Sequence, residues 1–132
     1  MNDLNSSLAL LMMRLVFGFS MALGHGWEKL VNFSDLSTTF PDPIGAGSTT
    51  SLILAIFAEV LCAFLLAVGY FTRLACIPLL VTMAVAVILI HGLDPWNKME
   101  LAALYFTAYL VIFILGPGRF AMDSMKKSKR FS

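Results

Sequence analysis

A chain of 132 residues that is 59% hydrophobic and 13% charged, with a mean hydropathy of +0.86, is one domain by length and too apolar to dress a water-facing surface, since soluble domains carry about 25% charged residues. Nine basic against eight acidic residues leave a formal charge of +1, which excludes nucleic acid as a partner, because that requires a dense basic face. Two cysteines inside apolar runs form neither a zinc motif nor a disulfide framework.

The first thirteen residues hold no Lys or Arg, so the start of the chain does not read as the basic head of a cleaved signal. A spanning helix needs about 20 mostly apolar residues, and four stretches qualify. Residues 4–27 contain one charge, Arg14, and predict a helix near 8–27. Residues 28–50 carry Pro41, Pro43, Gly45 and Gly47 and no long apolar run, which predicts an extramembrane loop or short interfacial segment able to lie over anything bound at that end. Residues 43–72 contain one charge, Glu59, and predict a helix near 51–70. Phe71-Thr72-Arg73 then leads into a third helix near 74–91, so these two are antiparallel neighbours. Pro78 falls in or just past the first turn of that helix, where its missing N–H does little harm. Asp94-Pro95 marks a turn, Asn97 and Glu100 stand at capping-box spacing, and the fourth helix, near 99–115, stops at Gly116-Pro117-Gly118. The expected fold is all-α: an integral-membrane, four-helix antiparallel bundle, with residues 1–132 a single transmembrane domain.

Basic residues gather on the cytoplasmic side of a membrane. Arg73, Arg119, Lys126, Lys127, Lys129 and Arg130 lie at one end and Lys29 and Lys98 at the other. Both termini are therefore expected to be cytoplasmic, with 119–132 a basic tail suited to acidic membrane lipid.

Ionisable groups inside a span cost about 2.5 kcal/mol or more and mark candidate sites. Arg14, Gly18, Met21 and His25 share one helical face, so Arg14 and His25 are expected to look into the same space. His25 and His91 each lie seventeen residues into their helices, and Glu100, Trp27 and Trp96 stand at the same level. Arg14 and Glu59 come within roughly one turn of each other in height, which makes an Arg14–Glu59 ion pair the economical expectation. Together, His25, His91 and Glu100 are expected to line one pocket over an Arg14–Glu59 floor. Trp27 and Trp96 read as aromatic-belt anchors or as ligand platforms, and Cys62 as a packing residue.

The string Leu10-Leu11-Met12-Met13-Arg14-Leu15-Val16-Phe17-Gly18, running into His25-Gly26-Trp27-Glu28-Lys29-Leu30, resembles the first helix of the DoxX family of small bacterial membrane proteins. Glu59, Gly69-Tyr70-Phe71-Thr72-Arg73-Leu74-Ala75 and Leu115-Gly116-Pro117-Gly118-Arg119-Phe120 are similar to later pieces of the same pattern. The resemblance implies a multi-pass protein of the bacterial inner (plasma) membrane. Relatives include a subunit of a thiosulfate:quinone oxidoreductase and a mycobacterial member tied to oxidative-stress proteins, although most members have no assigned activity. Arg14, His25, Glu59 and His91 match polar positions of the family pattern.

Three functions remain open. The first is a quinone- or small-redox-ligand-binding subunit of a membrane oxidoreductase, with redox partner subunits: histidines would donate to the head group while Glu59 or Glu100 takes protons. In the second, the histidines ligate haem b or a metal such as copper. The third is a non-enzymatic membrane partner or transport component, working as a homodimer. No catalytic motif decides whether the chain is an enzyme. Because no cysteine lies at the histidine level, a neutral polar-headed molecule is expected there rather than a structural metal.

Overall fold

The computed structural model describes residues 3–90 and 92–130. Among them four helices are long and apolar enough to cross a membrane: α1 Leu4–Val31, α3 Ser48–Val68, α4 Thr72–Ile90 and α5 Trp96–Leu115. A single turn, α2 Phe33–Leu36, lies between α1 and α3, and α6 Met122–Arg130 follows α5. No strand occurs among the described residues. The four expected spans are present, with limits shifted by at most four residues, and two of the shifts matter. α1 runs on through Glu28 and Lys29, so the segment taken as loop starts as helix and includes α2. α4 starts at Thr72, which puts Pro78 at its seventh residue, rather than in or just past its first turn.

The helices alternate in direction. The first half of α1 lies on the last turns of α3, its middle on the middle of α3, and its end on the beginning of α3. That inverted order is the signature of antiparallel packing, and it places both ends of the described chain at one end of the bundle. Small residues let α1 and α3 approach: a Cβ on Gly18 would stand 2.8 Å from the Ala63 carbonyl oxygen, and one on Gly26 2.7 Å from the Glu59 carbonyl. With lipid as apolar as any side chain, such backbone proximity is what holds spans together. The common core is built from Met21, Ala58, Cys62, Leu66, Cys76, Leu79, Tyr109 and Ile112, and both cysteines are free and buried.

Three spans change from α to π winding over part of their length: Ser20–Gly26 in α1, Phe57–Cys62 in α3 and Ala86–Ile90 in α4. The π stretches of α1 and α3 face each other. Such segments are rare and concentrate at functional sites.

The end of the bundle that holds the N-terminus and α6 is closed by hydrogen bonds from distant parts of the chain. Gly69, at φ +79°, ends α3 in the left-handed conformation. Asp123 reaches back from α6 to accept from the Phe71 and Thr72 N–H groups and the Thr72 hydroxyl, at 2.9, 2.9 and 2.8 Å. The two amides are orphan donors of the α4 N-terminus. Arg73 donates to the Phe113 and Ile114 carbonyls in the last turn of α5. The Arg119 N–H donates to the Ser7 hydroxyl at 3.3 Å. At the start of α5 the N-cap residue is Pro95, with no side-chain cap. The expected Asn97–Glu100 capping box does not form because the helix starts one residue before Asn97.

Candidate functional site

Arg14 is fully buried and does not meet Glu59. Its guanidinium donates to the Ala67 carbonyl at 3.1 Å and to the Phe120 carbonyl at 3.2 Å, with Nε unpartnered. Arg14 thus ties α1 to the end of α3 and to the segment after α5. It belongs to the hydrogen-bonded end of the bundle and lines no part of the cavity described below. The step of eleven residues from Arg14 to His25 amounts to about 16 Å along a helix, so even a shared face would not make a shared space.

Glu59 pairs instead with Lys29, Nζ to Oε1 2.9 Å, with side chains 5% and 23% exposed. Two features bring them together. Lys29 stands one turn beyond His25 on α1, and Gly26 lets the α1 backbone settle against Glu59. The pair forms part of the wall of a cavity of about 380 Å³. His25, Lys29 and Met21 come to it from α1, Ser51, Ala55 and Glu59 from α3, Thr82, Met83 and Ala86 from α4, and Lys98, Ala102 and Tyr105 from α5. The His25 ring meets the Tyr105 ring edge-on, centroids 5.7 Å apart, and Tyr109, stacked beyond Tyr105 at 5.9 Å, donates to the Phe17 carbonyl at 3.0 Å. Most of the remaining wall is apolar. Leu54, Val81 and Ile90 are 49, 57 and 40% exposed, so the cavity opens sideways, toward the surface that faces lipid.

Phe40, Pro41, Pro43 and Ile44 from the strap between α2 and α3 complete the wall. Asp42 pins that strap. Its carboxylate accepts from the Ala46 and Gly47 N–H groups at 2.9 and 2.8 Å and from the Ser51 hydroxyl at 2.9 Å. The Gly47 N–H above all, with Ser51 next, holds the Asp42 carboxyl below the ordinary carboxylate range.

The expected site residues therefore separate. His25 and Glu59 line the cavity. Arg14 is elsewhere. Glu100 is exposed and absent from the lining. Trp27 and Trp96, 54 and 60% exposed, stand outside the cavity, as aromatic-belt anchors would. His91 lies outside the described residues, and with it the paired imidazoles of the haem reading. Among the described residues no three His, Cys, Asp or Glu side chains form a metal-holding group. Sequence reasoning missed Lys29, Lys98 and Tyr105. For Lys29 a signal existed in its spacing of four from His25, hidden by ending the first helix at the Glu28-Lys29 charges.

These features define a four-span membrane protein with a lipid-facing, largely apolar cavity edged by an ion pair and an imidazole. The chain belongs to the DoxX family, whose model matches residues 9–92, more than half of the sequence. No curated protein and no solved structure gives a significant match.

Proposed function

We propose that the protein binds a lipophilic redox ligand of the quinone class in the cavity between His25, Glu59 and Lys29. The carrying observation is the Lys29–Glu59 pair, at 2.9 Å, set in an apolar cavity open to lipid. A quinone head group needs donors for its carbonyls and a proton acceptor beside them, and a tail needs an apolar slot. Lys29 and the His25 ring supply donors, Glu59 is the acceptor, and the gap beside Leu54, Val81 and Ile90 admits a tail from the bilayer. A volume of about 380 Å³ lies within the range of small-molecule sites, roughly 300–1,000 Å³. On this reading the protein is a ligand-binding subunit that presents the quinone to a redox partner.

The test is titration of the purified full chain in phosphatidylcholine nanodiscs with 2-methyl-1,4-naphthoquinone and a short-chain benzoquinone. Saturable binding of either, weakened at least tenfold by Glu59→Gln and by His25→Leu, is the expected result. Non-saturable partition equal to that of empty nanodiscs removes the proposal.

A further inference from the structure

The charged side chains that line the cavity do not balance, and the Asp42 carboxylate stands one hydrogen bond behind the wall, held on the Ser51 hydroxyl and two backbone N–H groups. Among the described residues its wall carries two ammonium groups, Lys29 and Lys98, and one carboxylate, Glu59. Glu59 is already engaged by Lys29. Lys98 makes no ion pair among the described residues. Glu100 does not answer it: two residues on, it sits about 200° round the helix, exposed and outside the lining. Lys98 is exposed at the rim, so beside a neutral head group its charge would be met by water alone. An ionised oxygen would meet it with a charge-assisted hydrogen bond, about twice as strong as a neutral one.

We infer that the cavity takes an amphiphile whose head carries one negative charge, and that Lys98 selects it. This rests on reading the cavity as a ligand site, and it narrows the ligand class. The head sits toward Lys98 and Lys29, and the apolar body extends past Leu54 and Val81 to the lipid-facing gap. Two kinds of molecule share that chemistry: a quinone with an ionised ring hydroxyl, and a long-chain carboxylate. In both, the recognised feature is one anionic oxygen on an apolar body.

Two matched pairs of probes separate charge from shape. The anionic 2-hydroxy-1,4-naphthoquinone and the neutral 2-methyl-1,4-naphthoquinone share a ring. Oleate and oleyl alcohol share a chain. Each is titrated calorimetrically into the full-length protein in phosphatidylcholine nanodiscs, which contain no competing anionic lipid, with empty nanodiscs subtracted. At least one anionic probe is expected to bind ten times more tightly than its neutral counterpart. Lys98→Met brings that ratio close to one, and Lys98→Arg keeps it. Anion preference in the quinone pair assigns an acidic quinone. Preference in the oleate pair without binding of either quinone upholds the charge selection and overturns the quinone reading. Tight binding of the methylquinone with a ratio near one overturns the charge selection and leaves the quinone reading standing. A preference that survives Lys98→Met overturns the role of Lys98, and no binding of any probe overturns both. Lys98 is exposed, so its replacement leaves the fold intact.

Discussion

Arg14 holds two carbonyls that lie 53 and 106 residues away in sequence. Hydrogen bonds from a charged donor are worth about 1.5–3 kcal/mol each, and an acceptor left buried without one is costly. Arg14→Leu is therefore expected to destabilise the protein by about 3 kcal/mol, read as a lower Tm in detergent. Arg14→Lys should recover only part, because one ammonium does not span two carbonyls. Since Arg14 and Glu59 share no partner, the losses of Arg14→Leu and Glu59→Leu should add to within about 0.5 kcal/mol in the double variant. A large rescue would mean that the two charges meet after all. Asp42 offers a prediction in pH. Its carboxyl is depressed in the fold, so its hold on the strap is complete above the unfolded carboxylate value of about 3.9 and is lost as pH falls through the lower folded value. Amide exchange at Ala46 and Gly47, relative to intrinsic rates, should be steady at neutral pH and lose protection only below about 4. Asp42→Asn should remove that acid-dependent step.

At the scale of elements, each span was legible from apolar length, because a charge every twenty residues or so is a dependable ruler in hydrocarbon. Rotation was not legible. The expectation that Arg14 and His25 share a space neglected the rise of eleven residues from one to the other and assumed 3.6 residues per turn throughout, which the π stretch Ser20–Gly26 breaks. Nothing in its residues announces π winding, since it is set by how α1 and α3 fit together. Nor was Glu59 paired correctly by depth: the expected helix limits put Arg14 about one turn from it in height, whereas Arg14 meets the Ala67 carbonyl, eight residues along α3 from Glu59, and Lys29 reaches the carboxylate. The Gly26 contact makes this testable without touching a polar group. Gly26→Val must push α1 off the Glu59 backbone, so it is expected to weaken ligand binding at least tenfold while all cavity side chains remain. Unchanged binding would mean that the helix separation does not set the site. At the other end of the bundle, Asp123→Ala removes three hydrogen bonds to the start of α4. Helix-cap losses run about 0.5–2 kcal/mol. A Tm decrease of that size is expected, with ligand affinity unchanged because no cavity residue is involved.

The whole molecule divides its polar residues between two ends. Arg14, Arg73 and Asp123 act on backbone groups and close one end. His25, Lys29, Glu59 and Lys98 act on open space at the other. The motifs around Arg14, Gly69–Arg73 and Gly116–Phe120, which drew the resemblance to the DoxX family, serve mostly the first end, so likeness in those strings speaks for architecture more than for chemistry. The closed end also has a consequence in time. Asp123 lies 51 residues beyond the Thr72 amide that it caps, and the Phe120 carbonyl lies 106 beyond Arg14. During synthesis all four spans leave the ribosome before the residues that fasten them, whereas Asp42 precedes the Ser51 that it holds by nine. The strap beside the cavity can settle early, and the opposite end locks last. A chain stopped after Gly118 should still insert its four spans, yet remain an unclasped bundle that proteases and quality control treat as unfinished.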